Sequence, residues 1–62
     1  NAVHTQSVAS SIWIVNHGLN KYCSVNVVNS SNIEVYADIE YTSLNTVTIT
    51  FSSPQQGYAY FN

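Results

Sequence analysis

Positive charge is almost missing from this chain. Lys21 is the single Lys or Arg in 62 residues, set against three acidic residues, for a net charge of -2. Proteins that grip nucleic acid through its phosphates carry a basic stripe. One lysine cannot supply it, so no nucleic-acid partner is expected. Cysteine is equally scarce: Cys23 stands alone, which excludes an internal disulfide. Apolar runs are short, none nearing the roughly 18 residues of a membrane helix. No signal peptide is visible, and membrane insertion is not expected. Methionine is absent and the chain opens on Asn1, so the sequence reads as a piece, or a processed product, of a longer chain.

Small size makes these absences matter. A domain of this length buries only about 60% of the surface its unfolded chain exposes, and such folds usually add disulfides, a metal or a partner chain. With the disulfide excluded, a metal or a partner is left. A surface with so little charge resists association poorly, which suits a chain that associates. The polar residues are mostly Ser, Thr and Asn, a neutral hydrogen-bonding coat.

What is present in abundance is β-branched and aromatic residues, the types that fit a pleated, half-buried surface. Alternation of period two recurs in blocks. In 8–17, Trp13, Val15 and His17 share one side and Ile12 and Ile14 the other. Gly18 to Lys21 reads as a turn, with Leu19 an anchor. A second strand covers 24–28, with Val25 and Val27 on one face, and the polar run 29–32 reads as a hairpin turn. In 33–41, Ile33, Val35, Ala37, Ile39 and Tyr41 alternate with Glu34, Tyr36, Asp38 and Glu40, which sets all three acidic residues on one outward face. A fourth strand turns Val47, Ile49 and Phe51 inward, and Pro54 is expected to close it. The last strand, 58–61, opposes Ala59 and Phe61 to Tyr58 and Tyr60.

These blocks predict an all-β fold, a small antiparallel β-sandwich or partly open barrel of about five strands. Residues 1–7 read as a leader or linker and 8–62 as a single β domain. The predicted core is Trp13, Val15, Leu19, Val25, Val27, Val35, Ile39, Val47, Ile49, Phe51, Ala59 and Phe61.

Few residues here carry chemistry. His17 suggests a metal ligand, but zinc-type sites need three or four ligands, and His4 lies too far along the chain to make a local pair. The pattern favours a histidine whose ring bonds the following turn and packs beside Trp13, with no metal and no cofactor. Cys23 follows Lys21 and Tyr22, a setting that can activate a thiol. No serine or cysteine sits on a strand-turn-helix elbow with a base and an orienting acid, so catalysis is not expected. Glu34, Asp38 and Glu40 imitate a paired-acid site, yet a solvated strand face explains them with less. The aromatic set says more. Ile12, Ile14, Tyr36, Tyr58 and Tyr60 all fall opposite the predicted core. Such residues are enriched at interfaces and in sugar-binding patches; a doubly packed sheet would bury them instead, and both readings stay open.

Taken in order, WIVNHGLNKY at 13–22, SVNVV at 24–28, LNTVTITF at 44–51 and GYAY at 57–60 resemble a small β domain that recurs in bacteriophage tail-fibre, baseplate and other virion-surface proteins. The resemblance covers 8–62. Its motifs are individually unspecific, and their order carries the likeness. Two departures stand out: Cys23 replaces a usual proline, and the glycine of the following turn is replaced within Ser30, Ser31 and Asn32, where Asn32 suits the left-handed conformation. The resemblance implies a non-enzymatic structural or attachment module on the tail or capsid surface of a virion. It also implies a homo-oligomer, a trimer by expectation, with other virion proteins as partners. A carbohydrate-binding module gripping a host-surface glycan through the tyrosines, or a capsid decoration domain, are the alternatives.

Overall fold

The computed structural model describes residues 2–62, and all the regular structure in them is β. Four strands form: β1 (Ala2–Asn16), β2 (Val25–Asn29), β3 (Asp38–Tyr41) and β4 (Thr46–Phe61). They make an open antiparallel sheet with β4 at its centre. β1 follows one side of β4 nearly end to end, from Ala2 opposite Phe61 to Asn16 opposite Thr46. The other side of β4 is shared. β2 takes the C-terminal part, Val25 opposite Phe61 to Asn29 opposite Gly57; β3 takes the N-terminal part, Asp38 opposite Thr50 to Tyr41 opposite Val47.

Three boundaries differ from the predicted ones. Residues 46–51 and 58–61 belong to one strand, so the count is four rather than five and Pro54 does not close anything. The reason lies in the partner strand. After Gln6 opposite Gly57 the register slips to Ser10 opposite Gln55, then to Ile12 opposite Thr50. Pro54 falls within this slip, where its missing N–H costs no ladder bond. The first strand also begins earlier than Val8: residues 2–6 pair with 57–61, and Ala2, His4 and Gln6 turn half-buried toward the core. Asn1 lies outside the described residues. Finally, the predicted strand 33–41 is divided. Glu34 bridges Val28 and the Val35 N–H donates to the Val27 carbonyl at 3.0 Å, whereas residues 38–41 pair with β4. Nine residues kept straight would run about 27 Å, the whole length of a molecule whose longest extent is 28 Å. The segment switches partner and so stays over the core.

The same arithmetic shows that the long pair is bent. Fifteen residues of extended β1 would span about 46 Å, well beyond the longest dimension of 28 Å. The bend falls at the register slips, and it brings the two halves of the sheet onto one core. His4 thereby reaches Trp13, ring centroids 5.7 Å apart, and His17 stacks on Phe61 at 5.4 Å. The inward parity of β1 changes across the bend, from even residues in 2–6 to Trp13 and Val15. Trp13 also holds the bend polar-satisfied: its indole N–H is shared between the carbonyls of Ser10 (3.0 Å) and Gln55 (3.2 Å). Backbone acceptors released by the slip thus find a donor on the largest core side chain.

The buried cluster is Trp13, Val15, Cys23, Val27, Val47, Ile49, Phe51, Ala59 and Phe61, with Leu19, Val25, Val35 and Ile39 packed against it half-buried. It is the predicted core with Cys23 added, and Ala2 and Ala37, outside the prediction, also pack against it half-buried. Turn chemistry closes the connections. Asn32 takes φ 64° and Asn20 φ 58°, both in the region that asparagine tolerates. The Asn29 side-chain oxygen accepts from the N–H groups of Ser31 (2.9 Å) and Ile33 (3.1 Å). At Gly57 the β2 backbone comes so close that a Cβ would collide with the Val28 carbonyl and lie 2.8 Å from Asn29 Cα.

Candidate functional site

The residues able to do chemistry are mostly occupied with structure. At the end of β1 the His17 N–H donates to the Asn45 carbonyl at 2.9 Å, and its Nδ1 accepts from the Leu19 N–H at 3.0 Å. The ring bonds the following turn as the sequence predicts, but it packs on Phe61 rather than Trp13. An accepting Nδ1 puts the hydrogen of the neutral ring on Nε2, and that atom is buried without a partner among the described residues. His4 is engaged elsewhere, its Nε2 2.7 Å from Gln6 Oε1. Among the described residues no three His, Cys, Asp or Glu side chains gather where a metal ion could sit. The Cys23 thiol is free and buried, and its carbonyl accepts from the Tyr41 hydroxyl at 2.7 Å. A thiol inside the core is shielded from any substrate in solution.

The acidic row predicted on one face is divided along with its strand. Glu34 belongs beside β2, where its Oε2 accepts from Asn26 Nδ2 at 3.4 Å. Asp38 and Glu40 lie on β3 opposite Thr50 and Thr48. All three remain exposed.

The five outward residues singled out by alternation fall on three places. Ile12 and Ile14 are 52% and 70% exposed and stand opposite Thr50 and Thr48, so two rows cross that half of the sheet, Ile12–Thr50–Asp38 and Ile14–Thr48–Glu40. Tyr58 and Tyr60 occupy the outer face of the other half, between Thr5 and Val28 and between Val3 and Asn26. Their rings stack 6.5 Å apart at 20°. Since both halves turn their inner faces to one core, their outer faces look away from each other, and the isoleucines and tyrosines do not share a patch. Tyr36 is fully exposed in the connection before β3.

Other surface features escape the alternation. Val3 and Val8 are exposed on β1, in or next to the stretch read as a leader. Tyr22 meets Tyr41 edge-on at 5.9 Å. Thr5, Ser7, Gln56 and Tyr58 line a cleft of about 180 Å³ above Gly57; no charged group lines it. Its walls come from β1, β4 and Ser30 in the turn after β2, so only the fold brings them together.

No protein-family model, no curated protein and no solved structure matches this chain.

Proposed function

We propose that this domain is a non-enzymatic structural and attachment module of a phage tail fibre or another virion-surface appendage, and that it works as a homo-oligomer. The observation that carries this reading is the apolar surface left outside a small core: Val3, Val8, Ile12 and Ile14, all on β1, are each more than half exposed. Ile12 and Ile14 share one outer face and Val3 stands beside Tyr60 on the other, so each face offers apolar surface for contact with other protein on a chain with so few charges. The virion as its setting rests on the ordered motifs from Trp13 to Tyr60. In this reading the bent sheet serves as a small sandwich or partly open barrel, its inner faces closed on the core and its outer faces free for contacts. Sedimentation analysis over a wide concentration range tests it. Self-association is the expected result, and a chain that stays monomeric at the highest concentration overturns the homo-oligomer.

A second reading is favoured by the cleft at Thr5, Ser7, Gln56 and Tyr58. Hydroxyl and amide groups around one aromatic wall, with no charge, suit a neutral sugar ring better than an ion or an apolar ligand. Binding to a glycan array that disappears in Tyr58→Ala, with the fold intact, would establish this carbohydrate-binding role; Tyr36 and Tyr60 stand outside the cleft and would not be needed.

A further inference from the structure

An open sheet has two borders, and here they are built differently. One border is β1. The other is formed by β3 and by the residues around Glu34 that pair with β2. In an antiparallel ladder successive residues alternate between bonding the neighbour and turning their N–H and C=O away. The His17 N–H donates to Asn45 on the β4 side. Residues 13 and 15 therefore face β4, while the main-chain groups of Ile12, Ile14 and Asn16 face outward. Ser10 corroborates this phase. Its Oγ donates to the Ile12 carbonyl at 2.8 Å and accepts from the Ile12 N–H at 3.3 Å, covering both outward groups of that residue. Ile14 and Asn16 receive no such cover among the described residues.

Exposed edges pair with other strands unless charge, proline or a covering group prevents it. All three acidic residues of the chain stand along the second border: Asp38 and Glu40 on β3, and Glu34 bridged to β2. β1 carries none. We propose that the bare edge at residues 14–16 is a self-pairing edge, and that its occupant is β1 of a second copy, running antiparallel across a twofold axis. This names the contact behind the homo-oligomer and rests on that reading.

Three observations choose the occupant. Outward N–H and C=O groups in strand geometry are matched by another extended strand, and every strand of the described chain is already in the sheet. Pairing β1 with the opposite border of a neighbour would set Asp38 and Glu40 against isoleucines and cost their hydration. Pairing β1 with β1 sets Ile14 opposite Asn16 of the second copy and makes the two Ile14 side chains diagonal neighbours, with no charge on either side, and a twofold contact closes on itself. The edge is short, bounded by the Ser10 cap and by the turn at Gly18, so the pair is weak and forms at high concentration.

The test is sedimentation equilibrium of the 62-residue chain, with amide exchange measured by NMR at low and high concentration. A monomer–dimer equilibrium is expected, with the Ile14 and Asn16 amides slowing as the dimer forms. Ile14→Lys, at a position already 70% exposed, is expected to abolish the dimer while leaving the spectrum of the monomer. Ser10→Ala, which uncovers Ile12, is expected to tighten it several-fold. A trimer, or a dimer indifferent to Ile14→Lys, would overturn the edge and leave the homo-oligomer standing. Absence of self-association overturns both. A Ser10→Ala chain that associates no better refutes the claim that Ser10 bounds the edge.

Discussion

β1 and β4 are nearly the same length, 15 and 16 residues, and they are zipped to one another. Yet β4 buries Val47, Ile49, Phe51, Gly57, Ala59 and Phe61, whereas β1 buries only Trp13 and Val15. Hydrophobicity does not explain this, because β1 also carries Val3, Val8, Ile12 and Ile14. Position does. β4 has neighbours on both sides at 47–50 and 57–61; β1 has one, and its outward residues have nothing above them. In a sheet this small a residue is buried by its strand's place in the ladder and by which face it takes, not by its type.

The strongest way to break that contrast is a pair of truncations. Phe61 is 1% exposed at the end of β4, and Phe61→Ala is expected to cost about 3–5 kcal/mol. The core of a chain this short rarely supplies more than about 3–5 kcal/mol of net stability, so the variant should be largely unfolded or sit near its midpoint without denaturant. Ile14→Ala, one of the most apolar positions of β1, should change stability by no more than about 0.5 kcal/mol. Urea denaturation of dilute protein measures both. Equal losses would mean that the outer face of β1 is covered in the monomer.

Trp13 is where β1 does contribute, and it sharpens the contrast. The ring packs against Phe51 at 4.6 Å while its N–H serves two carbonyls at the bend. Trp13→Phe keeps aromatic bulk and removes the donor, leaving the Ser10 and Gln55 acceptors unmatched, at an expected cost of about 1–3 kcal/mol. Amide exchange in 7–11 and 51–56 should quicken more than in the paired segments on either side. Uniform quickening would mean that Trp13 acts through packing alone.

How much of this was legible in the chain follows the same division. The Val47, Ile49, Phe51 and Ala59, Phe61 alternations identify the central strand's inner face, because a strand with partners on both sides shows its burial in its own period. The left-handed turn at Asn32 is equally local. Pro54 misleads because its tolerance depends on a register slip in β1, a partner many residues away. Cys23 is missed since it is a single inward residue between exposed Tyr22 and Ser24, with no period to reveal it. The pairing of 2–6 is hidden by His4, Thr5 and Gln6, polar residues whose place in the ladder comes from β4. The cleft beside Tyr58 is made by two strands meeting at a bend and by Ser30 in the turn after β2, and no local pattern encodes it.

The smallest expected effect concerns the end of β1, where His17 resembles a residue elsewhere in the molecule. Its Nδ1 accepts from the N–H two positions on, at Leu19. Asn29 does the same with its side-chain oxygen toward Ser31, the geometry of an Asx turn. An asparagine at 17 can therefore hold the turn, and it would remove a buried nitrogen that has no partner among the described residues. Against this stands the loss of the stack on Phe61, which in an aromatic pair is worth about 0.5–1.5 kcal/mol. The two changes oppose each other, so His17→Asn is expected to lie within about 1 kcal/mol of the parent. His17→Ala loses the turn acceptor as well as the stack and should be worse than His17→Asn by about 0.5–1.5 kcal/mol. Equal denaturation midpoints for the two variants would show that the Leu19 hydrogen bond contributes nothing and that His17 matters only as a lid over the end of β4.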